Sequence, residues 1–263
     1  MKRSIALLLI VGAILALNPN ALLAENSMAD NRLKIVGEIG MDFFSRYVGG
    51  TSGGIAYSKS VVQGNVKFTL EPLGLYFKSW GSGILVADGN RHGGNEIDPV
   101  IIGIARPIWV FKVDFGYAYY DLYPQFRGRG DLHGLFGTIS YPNKFIEPYL
   151  TVECDIPTDK KTLQGGWYYR AGITKSFKLR ENLSLTGDLS IGGNDGPFGY
   201  RPDFIAFARG GLSLCWSPWK NFSASPQVYY QKRLGHHPSE GGIARDAFWG
   251  GVSFNFKHEL LSF

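Results

Sequence analysis

The sequence lacks a long apolar run beyond its first residues. The one clean run, 4–17, has about 14 residues, whereas a membrane-spanning helix needs roughly 20. Two basic residues precede this run and the small residue Ala24 follows it, which is the layout of a cleaved secretory signal rather than of an uncleaved helix. We therefore predict a signal peptide over 1–24 and a short N-terminal segment over 25–33.

The sequence also has little excess of charge of one sign. Removing 1–24 removes Lys2 and Arg3 and no acid, which leaves 25 basic against 22 acidic residues. This balance gives no reason to expect nucleic acid as a partner.

What the chain does have is an alternation of apolar and polar residues. Over 109–120, aromatic and valine side chains share one face, and Lys112 and Asp114 share the other. A period of two over this length indicates a β-strand. About twelve such segments lie between Lys34 and Phe256. The 35 glycines, 14 tyrosines and 18 phenylalanines suit closely approaching strands and interfacial aromatic belts.

Short and long connections alternate along the chain. Short turns are expected at 71–74, 106–107, 142–144, 179–182 and 217–221, and long loops at 45–59, 80–96, 121–130, 155–164, 193–203 and 232–245. An even number of strands with segregated connections is typical of outer-membrane barrels. We predict an all-β, antiparallel, up-and-down transmembrane β-barrel of about twelve strands over 34–257, with periplasmic turns and extracellular loops. A soluble barrel with an apolar interior is the main structural alternative.

The polar face of the predicted strands identifies candidate lumen residues. A charge at the bilayer midplane costs about 2–4 kcal/mol, so the apolar face should point outward. The residues expected to line the lumen are Lys112, Asp114, Arg170, Asp188, Arg209, Glu38 and Lys67. Their mixed signs argue against a strongly ion-selective filter. A twelve-stranded lumen lies between a filled core and an aqueous channel, which predicts a narrow pore, with a plug as the alternative.

Three irregular features complete the barrel prediction. Pro99, Pro148 and Pro226 lie inside predicted strands and should mark bulges, because proline cannot donate to a ladder. The alternation read backward from Phe256 gives a good lipid face and from Phe263 a poor one, so residues 258–263 are predicted to be a tail. The barrel height should separate Cys154 from Cys215, since a disulfide needs Cα atoms within about 7 Å, and both should be unpaired.

Signatures of catalysis and metal binding are weak. The sequence has no Gly-x-Ser-x-Gly elbow, and four of its five histidines lie at the loop end of the predicted barrel, as polar loop regions would have by chance. The adjacent pair at 236–237 lacks an evident third metal ligand. The glycine-rich segments 91–95 and 192–196 lack the helix or the carboxylates that phosphate or calcium loops need. We predict no enzyme, metal or cofactor, with lipid modification through His133 or His92 as an alternative.

Part of the sequence resembles a known family. The residues that carry the resemblance are Asp42-Phe43-Phe44-Ser45-Arg46-Tyr47-Val48, Ser60-Val61-Val62-Gln63-Gly64, Trp80-Gly81-Ser82, Glu96-Ile97-Asp98 and Gly116-Tyr117-Ala118-Tyr119-Tyr120. The pattern is similar to that of the TorF-like putative porins, proteobacterial outer-membrane proteins, over roughly 35–125. Phe43 replaces the family's tyrosine, Tyr47 stands where glycine is common, and Val61 replaces proline. The resemblance implies a porin-like barrel and brings no catalytic residues.

The function expected from these features is a porin-like channel in the cell outer membrane for passive passage of small hydrophilic solutes. Expected partners are outer-membrane lipid and lipopolysaccharide, whose phosphates basic loop residues could pair, the barrel-assembly machinery during insertion, and the solutes, but no nucleic acid. The alternatives are a lipid-modifying enzyme and a structural or adhesive barrel without transport.

Overall fold

The computed structural model of the protein describes residues 32–86, 95–121, 131–159 and 164–262. The predicted signal peptide, 1–24, lies outside the described residues. Among the residues that are described, no helix has the length and apolar character needed to cross a membrane.

Twelve antiparallel strands close into a barrel, which confirms the predicted fold class and strand count. β1 pairs with β4 on one side and with β14 on the other, so the sheet has no free edge. A two-stranded hairpin of β2 (Tyr47–Val48) and β3 (Ile55–Tyr57) lies between β1 and β4. The barrel strands are β1 (Lys34–Phe44), β4 (Val61–Glu71), β5 (Leu75–Ile84), β6 (Glu96–Ile108), β7 (Phe111–Asp121), β8 (Leu132–Ser140), β9 (Glu147–Pro157), β10 (Gly166–Arg180), β11 (Leu183–Asn194), β12 (Asp203–Trp219), β13 (Phe222–Arg233) and β14 (Ala247–Ser262).

The outer face of the barrel is apolar. Large apolar side chains at alternate positions are solvent-exposed, for example Ile39 at 57%, Leu189 at 63% and Phe248 at 64%. Their neighbours in sequence, such as Glu38 and Asp188, belong to the opposite face, because side chains alternate along a strand. A soluble barrel would place the apolar face inside, so that alternative is wrong.

Connections segregate to the two ends of the barrel, named here the turn side and the loop side. The five turn-side connections have two to six residues, and the long ones all lie on the loop side. One predicted turn is wrong: β6 continues through Arg106 and Pro107, and the chain reverses at Trp109 and Val110. Trp109 adopts the left-handed conformation at φ 54°, and the turn lies three residues beyond the position that the proline indicates.

The predicted C-terminal tail is also wrong, because β14 continues to Ser262 and pairs with β1 as far as Lys34. The register shifts opposite the step from Ile35 to Val36, which inserts Leu260 as an extra residue. A bulge resets the alternation, so the sequence beyond it reads as a poor lipid face although the strand continues. Leu260 and Leu261 are accordingly both about half exposed.

Prolines and cysteines occupy tolerated positions in the sheet. Pro99 falls where the ladders of β6 with both of its neighbours shift register, as a bulge requires. The bulges predicted at Pro148 and Pro226 are wrong, because these prolines keep ladder partners in β10 and β14 with no shift of register. Cys154 and Cys215 are free, and they lie on β9 and β12.

Candidate functional site: the barrel lumen

The seven predicted lumen residues occupy inward-facing positions of six strands. Glu38 and Lys67 are ladder partners on β1 and β4, and Lys112 and Asp114 follow one another on β7. Arg170, Asp188 and Arg209 lie on β10, β11 and β12. The structure brings this last group together around one cavity and leaves the others nearer the turn side.

The turn-side part of the lumen is open and holds exposed charges. Lys112 pairs with Glu147 at 3.2 Å, and the lysine side chain is 58% exposed. Glu38 accepts a 2.8 Å hydrogen bond from the Asn255 amide. Lys67 places its ammonium 4.4 Å from the centre of the Tyr76 ring. Exposed pairs of this kind keep their water and contribute little to stability.

A repeated arrangement of tyrosine, glycine and carboxylate shapes the inner wall. Tyr76 of β5 crosses over Gly103 of β6 and donates to Asp114 of β7 at 2.8 Å. A Cβ on Gly103 would lie 2.5 Å from the tyrosine ring, so only glycine leaves room. Side chains two strands apart can meet only on the concave face, which places these groups inside the barrel.

The same arrangement recurs around the barrel. Tyr120 crosses Gly134 to reach Glu153, and Tyr149 crosses Gly172 to reach Asp188, both at 2.8 Å. Each phenol satisfies one lumen carboxylate, which makes the wall rigid. Asp114 and Asp188 are therefore positioned groups rather than freely rotating charges.

The long connection between β1 and β4, 45–60, crosses the lumen and is named here the constricting loop. Arg209 donates to the carbonyl of Gly50 from Nη1 and to that of Gly49 from Nη2, both at 2.9 Å. Arg170 donates to the same Gly50 carbonyl at 2.9 Å. These arginines project from β12 and β10, which lie three and five strands away from β1 in the closed order of twelve.

Gln231 of β13 is the second anchor of the constricting loop. It is fully buried, donates to the Gly53 carbonyl at 2.8 Å, and accepts from Arg209 at 2.8 Å. Gly53 has φ 69°, and a Cβ there would lie 2.4 Å from the Phe207 ring. The sequence must therefore keep glycine at this point of the loop.

The opposite end of the constricting loop packs against β5 and β6. The Tyr47 hydroxyl donates to Glu96 at 2.5 Å, and its ring centroid lies 5.9 Å from that of Trp80. Burial, followed by the charge of Glu96, raises the pKa of Tyr47, so the phenol stays protonated and can donate. Together with the arginine contacts, this anchors the loop at both walls of the lumen.

A cavity of about 360 Å³ remains beside the constricting loop. Its charged lining consists of Arg46, Arg170 and Arg209 against Asp188. Trp249 provides an aromatic wall, with the Arg209 guanidinium 5.3 Å from its ring. The part of the lumen beside the constricting loop is thus locally basic, although the charges of the lumen as a whole are balanced.

Buried polar groups concentrate on the loop side, which places the constriction there. Gln231, Arg209 and Asn194 are each under a tenth exposed and lie in the loop-side halves of their strands. Lys112, near the turn side, is well exposed. The lumen is therefore more open on the turn side, named here the chamber, and more closely filled on the loop side, named here the passage.

Sequence reasoning missed the loop and its anchors. The alternation gives Gln231 no distinguishing role, and residues 45–59 are predicted as an external loop. The run Gly49-Gly50-Thr51-Ser52-Gly53-Gly54 is the one available signal, because clustered glycines allow close approach to a wall.

The histidines considered for catalysis have structural partners. His133 bonds to the Tyr117 hydroxyl at 2.7 Å and stacks on its ring. His236 binds Asp203 through both its ring and its backbone N–H. His92 lies outside the described residues. No group of three or more His, Cys, Asp or Glu residues in the described part of the chain is arranged to hold a metal.

Comparison with known proteins identifies the class of fold. No protein-family profile matches the chain, and no curated protein matches it in sequence. Among solved structures it is similar to the NanC porin, with a TM-score of 0.52 at 9% identity over 83% of this chain and 98% of that one. It is similar to the KdgM porin, with a TM-score of 0.51 at 9% identity over 83% and 98%.

A third similar structure is an outer-membrane channel from Pseudomonas putida F1, with a TM-score of 0.50 at 8% identity over 88% of this chain and 97% of that one. Identities this low establish the fold alone. The chain has the fold of outer-membrane β-barrels of the porin type.

Proposed function

We propose that the protein is an outer-membrane channel through which small hydrophilic solutes diffuse, and that the constricting loop sets the size of the passage. The observation that carries this proposal is that the constricting loop is held by Arg209 on β12 and by Glu96 on β6, which are opposite strands of the barrel. A loop held across a polar lumen narrows a pore, whereas a purely structural barrel has no need of one.

The lining of the cavity supports a modest preference for anions. Three arginines and one aspartate border the narrowest region, and their charges act there at short range. The balanced charges in the wider turn-side chamber are hydrated and screened, so they contribute less to selectivity.

Related proposals concern family, partners and chemistry. The motifs around Asp42, Gln63 and Trp80 support assignment to the TorF-like putative porins. We also propose that basic loop residues contact lipopolysaccharide and that the barrel-assembly machinery inserts the protein. A channel without enzymatic activity accounts for the partners of His133 and His236, each of which a tyrosine or an aspartate already engages.

Conductance of the refolded mature protein in planar bilayers tests this function. We expect discrete single-channel steps whose ion selectivity shifts toward cations when Arg170 is changed to Glu. Lys175→Gln is the matched control, because Lys175 occupies an outward position of the same strand and should leave selectivity unchanged. A folded barrel with no conductance and no solute uptake would refute the proposal and favour a structural or adhesive role.

A further inference from the structure

The outer face of β10–β14 contains a groove of about 480 Å³ that is almost entirely apolar. Two glycines form its floor. Gly210 of β12 pairs with Leu189 on one side and with Tyr230 on the other, and Gly187 of β11 lies between Lys175 and Leu212. Each glycine thus leaves a notch in a row of large outward side chains.

A lysine lies at the turn-side end of this groove. Lys175 occupies an outward position between Ile173 and Phe177, two exposed apolar residues. Its ammonium donates to the carbonyl of Lys144, which belongs to a turn-side connection, so the charge is held at the rim of the barrel. An ammonium has three donors, which leaves it able to bind a further acceptor.

We propose that this groove binds one glycerophospholipid, with an acyl chain over Gly187 and Gly210 and the phosphate at Lys175. The groove supplies apolar surface for the chain, and the rim lysine supplies the charge that a phosphate requires. The inference needs the outward face to lie in a bilayer, and it does not depend on whether the lumen conducts.

Charge complementarity favours a lipid over a second copy of the chain. In the turn-side half of the described strands, no outward-facing position carries a carboxylate. A second copy therefore offers no outward acid on its strands for Lys175, whereas a phospholipid head group always carries a phosphate. The orientation of the barrel agrees with a phospholipid at this site. The proposed channel places the turn side, and with it Lys175, at the periplasmic leaflet of the membrane.

Native mass spectrometry of the intact mature barrel tests the site, with 1-palmitoyl-2-oleoyl-phosphatidylglycerol added in detergent. We expect one lipid adduct on the wild type, and Gly210→Leu should abolish it by filling the notch. Lys175→Gln should weaken binding about tenfold, because a charge-assisted hydrogen bond is lost. Binding of dioleoylglycerol, which lacks the phosphate, should not change in Lys175→Gln.

Gly64→Leu is the matched control, since Gly64 is an outward glycine of β4 with no close neighbour at its Cβ position. It should bind phosphatidylglycerol like the wild type, and heat-modifiable migration on gels will show that each variant is folded. Equal adducts on folded Gly210→Leu and Gly64→Leu would overturn the inference. So would a dimer that Gly210→Leu alone disrupts, because the groove would then belong to a second copy.

Discussion

Arg209 donates a 2.9 Å hydrogen bond to the carbonyl of Gly50, a residue 159 positions earlier in the chain. This contact joins the wall at β12 to a loop that starts at β1, three strands away in the closed barrel. The segment predicted as an external loop is thereby held against the inner wall of the barrel.

Releasing this contact should widen the passage. Arg209→Gln removes donors to both Gly49 and Gly50, and hydrogen bonds to charged groups contribute about 1.5–3 kcal/mol each. The equilibrium between held and released loop should therefore shift by a factor of about ten or more.

Single-channel recording should show larger and noisier conductance for Arg209→Gln than for the wild type. Arg209→Lys, which keeps a donor, should lie between the two. Unchanged conductance in a folded Arg209→Gln barrel would mean that the loop does not restrict the passage.

A disulfide that fixes the constricting loop at Gly54 should leave the conductance unchanged, because the structure already holds the loop there. Gly54 and Ala244 form an antiparallel bridge, and paired Cα atoms about 4.5–5.5 Å apart fall within disulfide geometry. Gly54→Cys with Ala244→Cys, in a background with Cys154 and Cys215 changed to Ser, should cross-link on oxidation.

We expect mass spectrometry to detect this cross-link and conductance to stay at the wild-type level with less noise. Reduction should restore the noise. If the folded barrel does not cross-link, the constricting loop does not lie across the lumen.

Reversing the charge of a lumen residue should change the ion selectivity more in the passage than in the chamber. Arg170→Glu changes a side chain at the cavity, whereas Lys112→Glu changes one that is well exposed beside Glu147. The reversal potential in a salt gradient should therefore move further toward cation preference with Arg170→Glu. A larger shift with Lys112→Glu would locate the selective region on the turn side.

The glycines beneath the tyrosines should resist substitution. Gly172→Ala places a Cβ 2.7 Å from the Tyr149 ring and disturbs its bond to Asp188, and overpacking of this kind costs about 1–3 kcal/mol. Gly64→Ala meets nothing closer than 3.9 Å and serves as the control. Urea unfolding in lipid vesicles should show a lower midpoint for Gly172→Ala alone, and equal midpoints would contradict the packing role.

Residues 258–263 should be needed for closure. Ending the chain at Lys257 removes the partners of Lys34 to Gly37 on the β14 side and exposes backbone groups that lipid cannot satisfy. The truncated chain should show a smaller heat-modifiable folded fraction on gels than the full chain or His258→Ala. Equal folding of the truncated chain would restore the interpretation of this segment as a dispensable tail.

Local alternation was enough to predict the barrel, its strand number and the orientation of most side chains. Leu189 and Asp188 show why, since neighbours in sequence fall on opposite faces whatever their distant partners are. The bulge at Leu260 could not be predicted from the sequence. One inserted residue reverses the alternation, and no residue type marks where the insertion lies. The same pattern predicts Arg170 and Arg209 on the polar face, and in the structure both donate to the carbonyl of Gly50.

The constricting loop could not be predicted because its position depends on contacts between residues more than a hundred positions apart. Gln231 looks like any inward polar residue until Gly53 reaches it. The short turn at Trp109 escaped for a local reason, since a tryptophan took the left-handed conformation that sequence rules assign to glycine.

Single-channel conductance of the refolded mature barrel, compared between wild type and Arg209→Gln, decides whether the protein is a channel that the constricting loop narrows. We expect discrete steps in the wild type and larger, noisier steps in the variant, because the loop should narrow an otherwise open lumen. A folded wild-type barrel without conductance, together with a variant that is equally silent, would contradict it.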